Sequence, residues 1–114
     1  MIDPVSPEEI RGAVRGILDE WWRHMPDDPT FLTRRDYQAY ATLTMCRALH
    51  ALRYGTVVSK PVAARWAQQE FGQWAGLIER ALAWPEGEQT DEMNETLDFL
   101  RFTLKQGLEK NDDQ

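Results

Sequence analysis

Between Tyr37 and Leu52 this sequence carries a single formal charge, Arg47. The stretch 37–54, YQAYATLTMCRALHALRY, is otherwise apolar, aromatic, hydroxyl, amide or histidine until Arg53. A helix that is mostly apolar all round belongs in the middle of a bundle, because no face of it gains by meeting water. With successive residues about 100° apart, Tyr37, Ala41, Met45, Ala48, Leu49 and Leu52 share one broad face, the expected core. Asp36, Tyr40, Leu43, Arg47, His50 and Tyr54 share the opposite face. There, hydrogen-bonding groups stand where a purely structural helix would carry more leucine, so this face is expected to border a cleft or a missing partner.

The remaining sequence supplies helices to surround it. Ser6-Pro7-Glu8-Glu9 is a helix start: a serine cap, proline in the first turn, and a glutamate placed to close a capping box. Ile10, Val14, Ile17, Leu18, Trp21 and Trp22 recur at helical spacing to about His24, and Pro26-Asp27-Asp28-Pro29 ends the run. Thr33-Arg34-Arg35-Asp36 reads as a second capping box opening the central helix, and Gly55 as its left-handed stop. Ser59-Lys60-Pro61 starts a third helix, broken at Gly72. Residues 74–84 read as a fourth, with Leu77, Ile78, Ala81 and Leu82 inward and Pro85 and Gly87 closing it. Thr90 is expected to cap a fifth, with Met93, Leu97, Leu100, Leu104 and either Phe99 or Phe102 inward. A polar tail begins near residue 109. No convincing strand appears, so the expected fold is all-α: a five-helix bundle with a mostly apolar central helix, one domain over residues 1–114.

Composition narrows the function classes. A chain of 114 residues with 42% hydrophobic content and five tryptophans can fill one core. Its net charge of −6 suits neither a phosphate backbone nor non-specific nucleic-acid binding. The single cysteine, Cys46, rules out an intrachain disulfide and a cysteine-based metal cluster. No apolar run reaches the length of a membrane span and no signal peptide is visible, so the cytoplasm is the expected location. There is no glycine-rich phosphate loop, Gly-x-Ser-x-Gly or His-Glu-x-x-His, and no nucleophile paired with a base.

Two cations stand out. Arg47 cannot discharge by losing its proton, so it needs a partner: either an acid of the first or fifth helix, or an anionic ligand. Lys60 occupies the first turn of a helix, where the dipole disfavours a cation. It is either a solvated lysine or part of a phosphate site at that helix start. Asp36 has a structural role as a capping-box acid and a possible role towards a ligand. His50 is a lone histidine with no metal-ligand companion, and reads as packing.

The segment 40–71, YATLTMCRALHALRYGTVVSKPVAARWAQQEF, resembles the C-terminal helical domain of the aminoglycoside adenylyltransferases of the streptomycin/spectinomycin type. The resemblance is specific over residues 37–71, through Cys46-Arg47-Ala48-Leu49 and Ser59-Lys60-Pro61, and looser over 4–22 and 77–105. It implies that a nucleotidyltransferase domain precedes this one and supplies the magnesium- and ATP-binding carboxylates and the general base. The helical domain would close the cleft, with Arg47 and Lys60 on the nucleotide side. The position of a drug-contacting acid falls near Thr33 and Tyr37. Asp36 is the only acid there, so Asp36, Tyr37 and Tyr40 are the candidates on the substrate side.

The resemblance therefore implies a helical substrate-side domain, alone or truncated, that is not catalytic by itself and carries no catalytic residue, metal site or cofactor of its own. ATP and magnesium enter only with a nucleotidyltransferase domain in cis or in trans. The alternative is an interaction module that forms a homo-oligomer or pairs with a separately encoded nucleotidyltransferase. No nucleic-acid or membrane partner is expected.

Overall fold

The first helix, α1 (Pro7–Glu20), starts where its sequence requires. Glu9 donates its N–H to Ser6 Oγ at 3.1 Å, and Glu9 Oε1 accepts from the Ser6 N–H at 2.9 Å, closing the capping box. The computed structural model describes residues 6–85 and 91–109, with Glu109 as backbone only. α1 ends four residues before His24. Trp22–His24 tightens into a 3₁₀ turn, which buries Trp22 to 2% exposure and leaves Trp21 54% exposed. Ile17, expected in the apolar stripe, is also exposed. The inward row is the narrower set Val14, Leu18 and Trp22, spaced four apart.

A second 3₁₀ turn, Pro29–Thr33, precedes the central helix α2 (Arg35–Tyr54). The expected Thr33 capping box does not form. The turn draws the Thr33 hydroxyl into a hydrogen bond with the Thr30 carbonyl at 3.1 Å, and Arg34 becomes the residue before the helix. α2 buries Gln38, Ala39, Ala41, Thr42, Met45, Cys46, Ala48, Leu49 and Ala51. Most of these are small, which lets α1 and the later helices approach closely. Tyr37, expected on the core face, lies at its edge and is 36% exposed; Leu52 is half-buried. At the far end Gly55 takes φ 70° and returns its N–H to Ala51 O at 2.7 Å. Two of the last carbonyls of α2 are satisfied from α1: Arg11 donates through Nε to Leu52 O at 2.9 Å and through Nη2 to Arg53 O at 3.1 Å.

α3 (Lys60–Glu70) is capped by Ser59, whose Oγ accepts the Val62 N–H. It buries Ala63, Ala64 and Ala67 against α2. After a 3₁₀ turn at Gly72–Trp74, α4 (Ala75–Leu82) buries Leu77, Ile78 and Ala81. It starts one residue later and ends earlier than the sequence suggests. Gly87 and Thr90 lie outside the described residues. α5 (Met93–Leu104) buries Leu97, Phe99, Leu100 and two threonines, with Phe102 only half-buried, and runs into a π turn at Lys105–Glu109. The described residues hold five α-helices and no strand. α2 contacts each of the other four.

Two buried polar joints lock these helices together. Gln38, 1% exposed, donates through Nε2 to Leu32 O at 3.0 Å and Asp91 Oδ1 at 2.7 Å, and its Oε1 accepts the Glu92 N–H at 2.9 Å. Glu92 then pairs with Arg35 of α2 at 3.3 Å and with Arg80 of α4, which also reaches Glu95 at 2.7 Å.

Burial pushes the Cys46 thiol up to about 12. The thiol is therefore protonated throughout the neutral range and its thiolate, the nucleophile, is withheld. In the folded chain Cys46 is expected to react with a disulfide reagent at pH 8 at least about a hundredfold more slowly than in urea. Equal rates would contradict its burial.

Candidate functional site

The candidate residues gather along α2 and the first turn of α3. Tyr40 is 44% exposed and lies against Trp22 and Phe31, with ring centroids 6.3 and 6.5 Å away. Lys60, from the first turn of α3, places Nζ 4.6 Å from the Tyr40 ring centroid, a cation–π contact. Arg47 is half-buried and donates through Nε to Val58 O at 2.9 Å. That bond ties its guanidinium to the connector between α2 and α3. An apolar groove of about 220 Å³ between α1 and α2 runs beside it, lined by Val14, Ile17, Trp22, Thr44, Arg47 and Val57 among others.

Arg47 has no acidic partner. Among the described residues eight of the ten arginines are ion-paired, and the two that are not are Arg15 and Arg47. The expected pairing of Arg47 with an acid of the first or fifth helix is not made. A main-chain carbonyl takes that place and leaves the charge uncompensated. Lys60 likewise has no carboxylate within ion-pair distance among the described residues.

The substrate-side candidates lie towards the N-terminus of α2. Tyr37 stacks on Phe31 at 4.6 Å and 28°, with the Arg34 guanidinium 4.9 Å from the Tyr37 ring centroid. Asp36 is paired with Arg34 at 2.8 Å, and its other oxygen accepts the Tyr37 N–H at 2.9 Å. Its carboxylate is thus engaged locally. Beside this stack is a hollow of about 360 Å³ lined by Glu20, Trp21, His24, Asp28, Thr30 and Phe31 among others. Glu20, Asp28 and Phe31 carry no sequence signal that would bring them to this hollow. The Pro-Asp-Asp-Pro run reads in sequence as a helix stop, and nothing in its spacing shows that it folds Asp28 beside the rings of Trp21 and Phe31.

The other singled-out residues lie elsewhere. His50 packs between Tyr54 and Trp66, with centroids 4.8 and 5.1 Å away. Arg53 pairs with Glu70 at 2.9 Å. Among the described residues no three His, Cys, Asp or Glu side chains gather to hold a metal ion, and no helix is long and apolar enough to cross a membrane.

The family model for the aminoglycoside adenylyltransferase C-terminal domain matches residues 1–106. Neither the curated proteins nor the solved structures give a significant match. The family match takes in all five helices and both the Arg47–Lys60 face and the Tyr37 stack. The chain therefore belongs to the aminoglycoside adenylyltransferase C-terminal domain family.

Proposed function

We propose that this chain is one helical unit that works as the cleft-closing half of an adenylyltransferase and is not catalytic alone. A nucleotidyltransferase domain, in cis or in trans, supplies magnesium, ATP and the general base. Arg47 and Lys60 face the nucleotide. Asp36, Tyr37 and Tyr40 face a cationic drug. One observation carries this reading: Arg47 and Lys60, the latter lying on the exposed Tyr40 ring, are both left without a carboxylate among the described residues, in a chain where the other arginines outside the Arg15 pocket are paired. An arginine fork and a lysine left free in this way suit phosphate oxygens. The bound nucleotide would bring the phosphates, and the two cations would orient them and offset their charge. The rings of Tyr37 and Tyr40 already hold the cations of Arg34 and Lys60, and an ammonium group of an aminoglycoside would take their place on these faces.

Exposed Ile17 and Val57, which line the groove, support a covering partner on this same face. They also favour the second reading, in which the bundle dimerises or pairs with a separately encoded nucleotidyltransferase. Purified chain alone is expected to transfer no adenylyl group from ATP to streptomycin or spectinomycin, and a nucleotidyltransferase domain fused ahead of it is expected to restore transfer. A magnesium-dependent product from the chain alone, free of contaminating enzyme, would overturn the reading. A concentration-dependent dimer that covers the groove and excludes the fused domain would favour the second.

A further inference from the structure

Arg15, the other arginine without a carboxylate, belongs to a different face. It shares a pocket of about 140 Å³ with Arg53, Trp66 and Gln106, walled by Leu49 and Phe71 among others. Arg53 follows Arg47 by six residues, so it points about 120° away from it around α2. The pocket is assembled from α1, α2, α3 and the π turn after α5.

Its donors are under-used. Arg15 Nε is shut off from solvent and has no hydrogen-bond partner among the described residues, so an anion in the pocket would meet the outer nitrogens of this guanidinium, or reach Nε after the side chain turns. A buried N–H without an acceptor is uncommon in a native structure and calls for an explanation. Gln106 is half-buried and its amide makes no hydrogen bond among the described residues. Arg53 is held in place by Glu70 at 2.9 Å and by the rings of Trp66 and Tyr54, its guanidinium carbon 5.7 and 5.9 Å from their centroids. Its contacts with Glu70 and Tyr54 leave the remaining donors of the fork to solvent. The Trp66 indole N–H is spent on the Tyr54 hydroxyl at 3.2 Å, so the ring serves as wall rather than donor.

We propose that this pocket binds a small oxyanion, a phosphate or carboxylate group, held between Arg15, Arg53 and Gln106. Two guanidinium groups and an amide match the oxygens of such a group, with the planar forks giving direction as well as charge. The volume suits one such group and is too small for a whole nucleotide or an aminoglycoside. A chain of net charge −6 has no general attraction for anions, so binding here would be a property of the local geometry.

The test is a titration of the whole chain with inorganic phosphate, with acetate and with chloride at fixed ionic strength. Arginine Nε–H and tryptophan indole resonances are followed by nitrogen-15 NMR. Saturable shifts are expected at Arg15 and Arg53 with phosphate or acetate and not with chloride, and the anion that saturates first identifies the ligand class. Arg15→Met should weaken binding about tenfold, as loss of a charge-assisted contact does, and Arg47→Met should leave it unchanged. Gln106→Leu, expected to weaken binding to a lesser degree, serves if Arg15→Met does not fold. The proposal is overturned by shifts that chloride reproduces, by no saturable shift at Arg15 and Arg53, or by unaltered binding in the pocket variants. None of these results bears on the nucleotide-side reading of Arg47.

Discussion

Glu92→Ala is expected to destabilise the chain by about 3–5 kcal/mol, because it leaves a buried arginine charge without its counter-ion. The Glu92 side chain is 7% exposed and Arg35, 3.3 Å away, is 10% exposed. Arg35 Nε already lacks a hydrogen-bond partner among the described residues, and without Glu92 the guanidinium keeps only the bond from Nη2 to the neutral carbonyl Arg80 O at 3.1 Å. Arg80 is better placed to tolerate the loss: its side chain is 45% exposed and keeps Glu95 at 2.7 Å. The cost should therefore concentrate on Arg35, and removing that charge as well should recover much of it. In urea unfolding at neutral pH, Arg35→Met combined with Glu92→Leu should lie closer to the parent than Glu92→Ala does. A single-variant loss below about 1 kcal/mol, the range of exposed pairs, would show that the joint is solvated rather than buried.

Gly55→Ala should cost about 2–4 kcal/mol, from two sources that add. At φ 70° an L side chain meets its own backbone, and the added Cβ would lie 2.8 Å from Pro7 Cα, within the first turn of α1. Pro7 is main chain at that point, so α1 itself must move. The same substitution at Gly72, where a Cβ meets nothing within 4 Å, is expected to change stability by less than about 0.5 kcal/mol. Thermal melts of the two variants compare them directly, and equal shifts would remove the close approach of α1 as the cause.

These two sites differ in how they are written in the sequence. Gly55 is a local signal: a glycine after an apolar helical run, legible before any fold is known. Ser6 with Glu9, and Ser59 before Lys60-Pro61, are likewise local, and the helices they start form as expected. Glu92 has no such signature. It meets Arg35 across 57 positions of chain (92 − 35), and the pairing depends on how α2, α4 and α5 are rotated about their axes. Periodicity does not fix that rotation. Gln38 escaped notice for the same reason: its three partners come from the turn before α2 and the residues leading into α5. Trp21 and Ile17 fit the helical period, yet face outward, because the period marks which residues share a stripe but not how wide the covering surface is.

The candidate site was legible in part. The opposite face of α2 and the two cations stood out from residue type alone, Arg47 as a charge in an uncharged stretch and Lys60 as a cation at a helix start. The contact between Lys60 and Tyr40 joins two helices and has no sequence signal. Nor did the sequence show that a carbonyl, Val58 O, would hold Arg47 in place of an acid.

The central claim is that Arg47 and Lys60 serve the nucleotide, and kinetics of the assembled enzyme test it most directly. A nucleotidyltransferase domain is fused ahead of the chain, and Arg47→Met, Lys60→Ala and the control Arg65→Ala are compared. Neither Arg47 nor Lys60 has a carboxylate partner, so the first two should melt within about 1 kcal/mol of the parent, the Arg47 variant losing only its bond to Val58 O. The KM for ATP should rise about tenfold in each, the effect of one lost charge-assisted contact, with the KM for the drug unchanged and the Arg65 control like the parent. Unaltered ATP use in both the Arg47 and Lys60 variants would contradict the account.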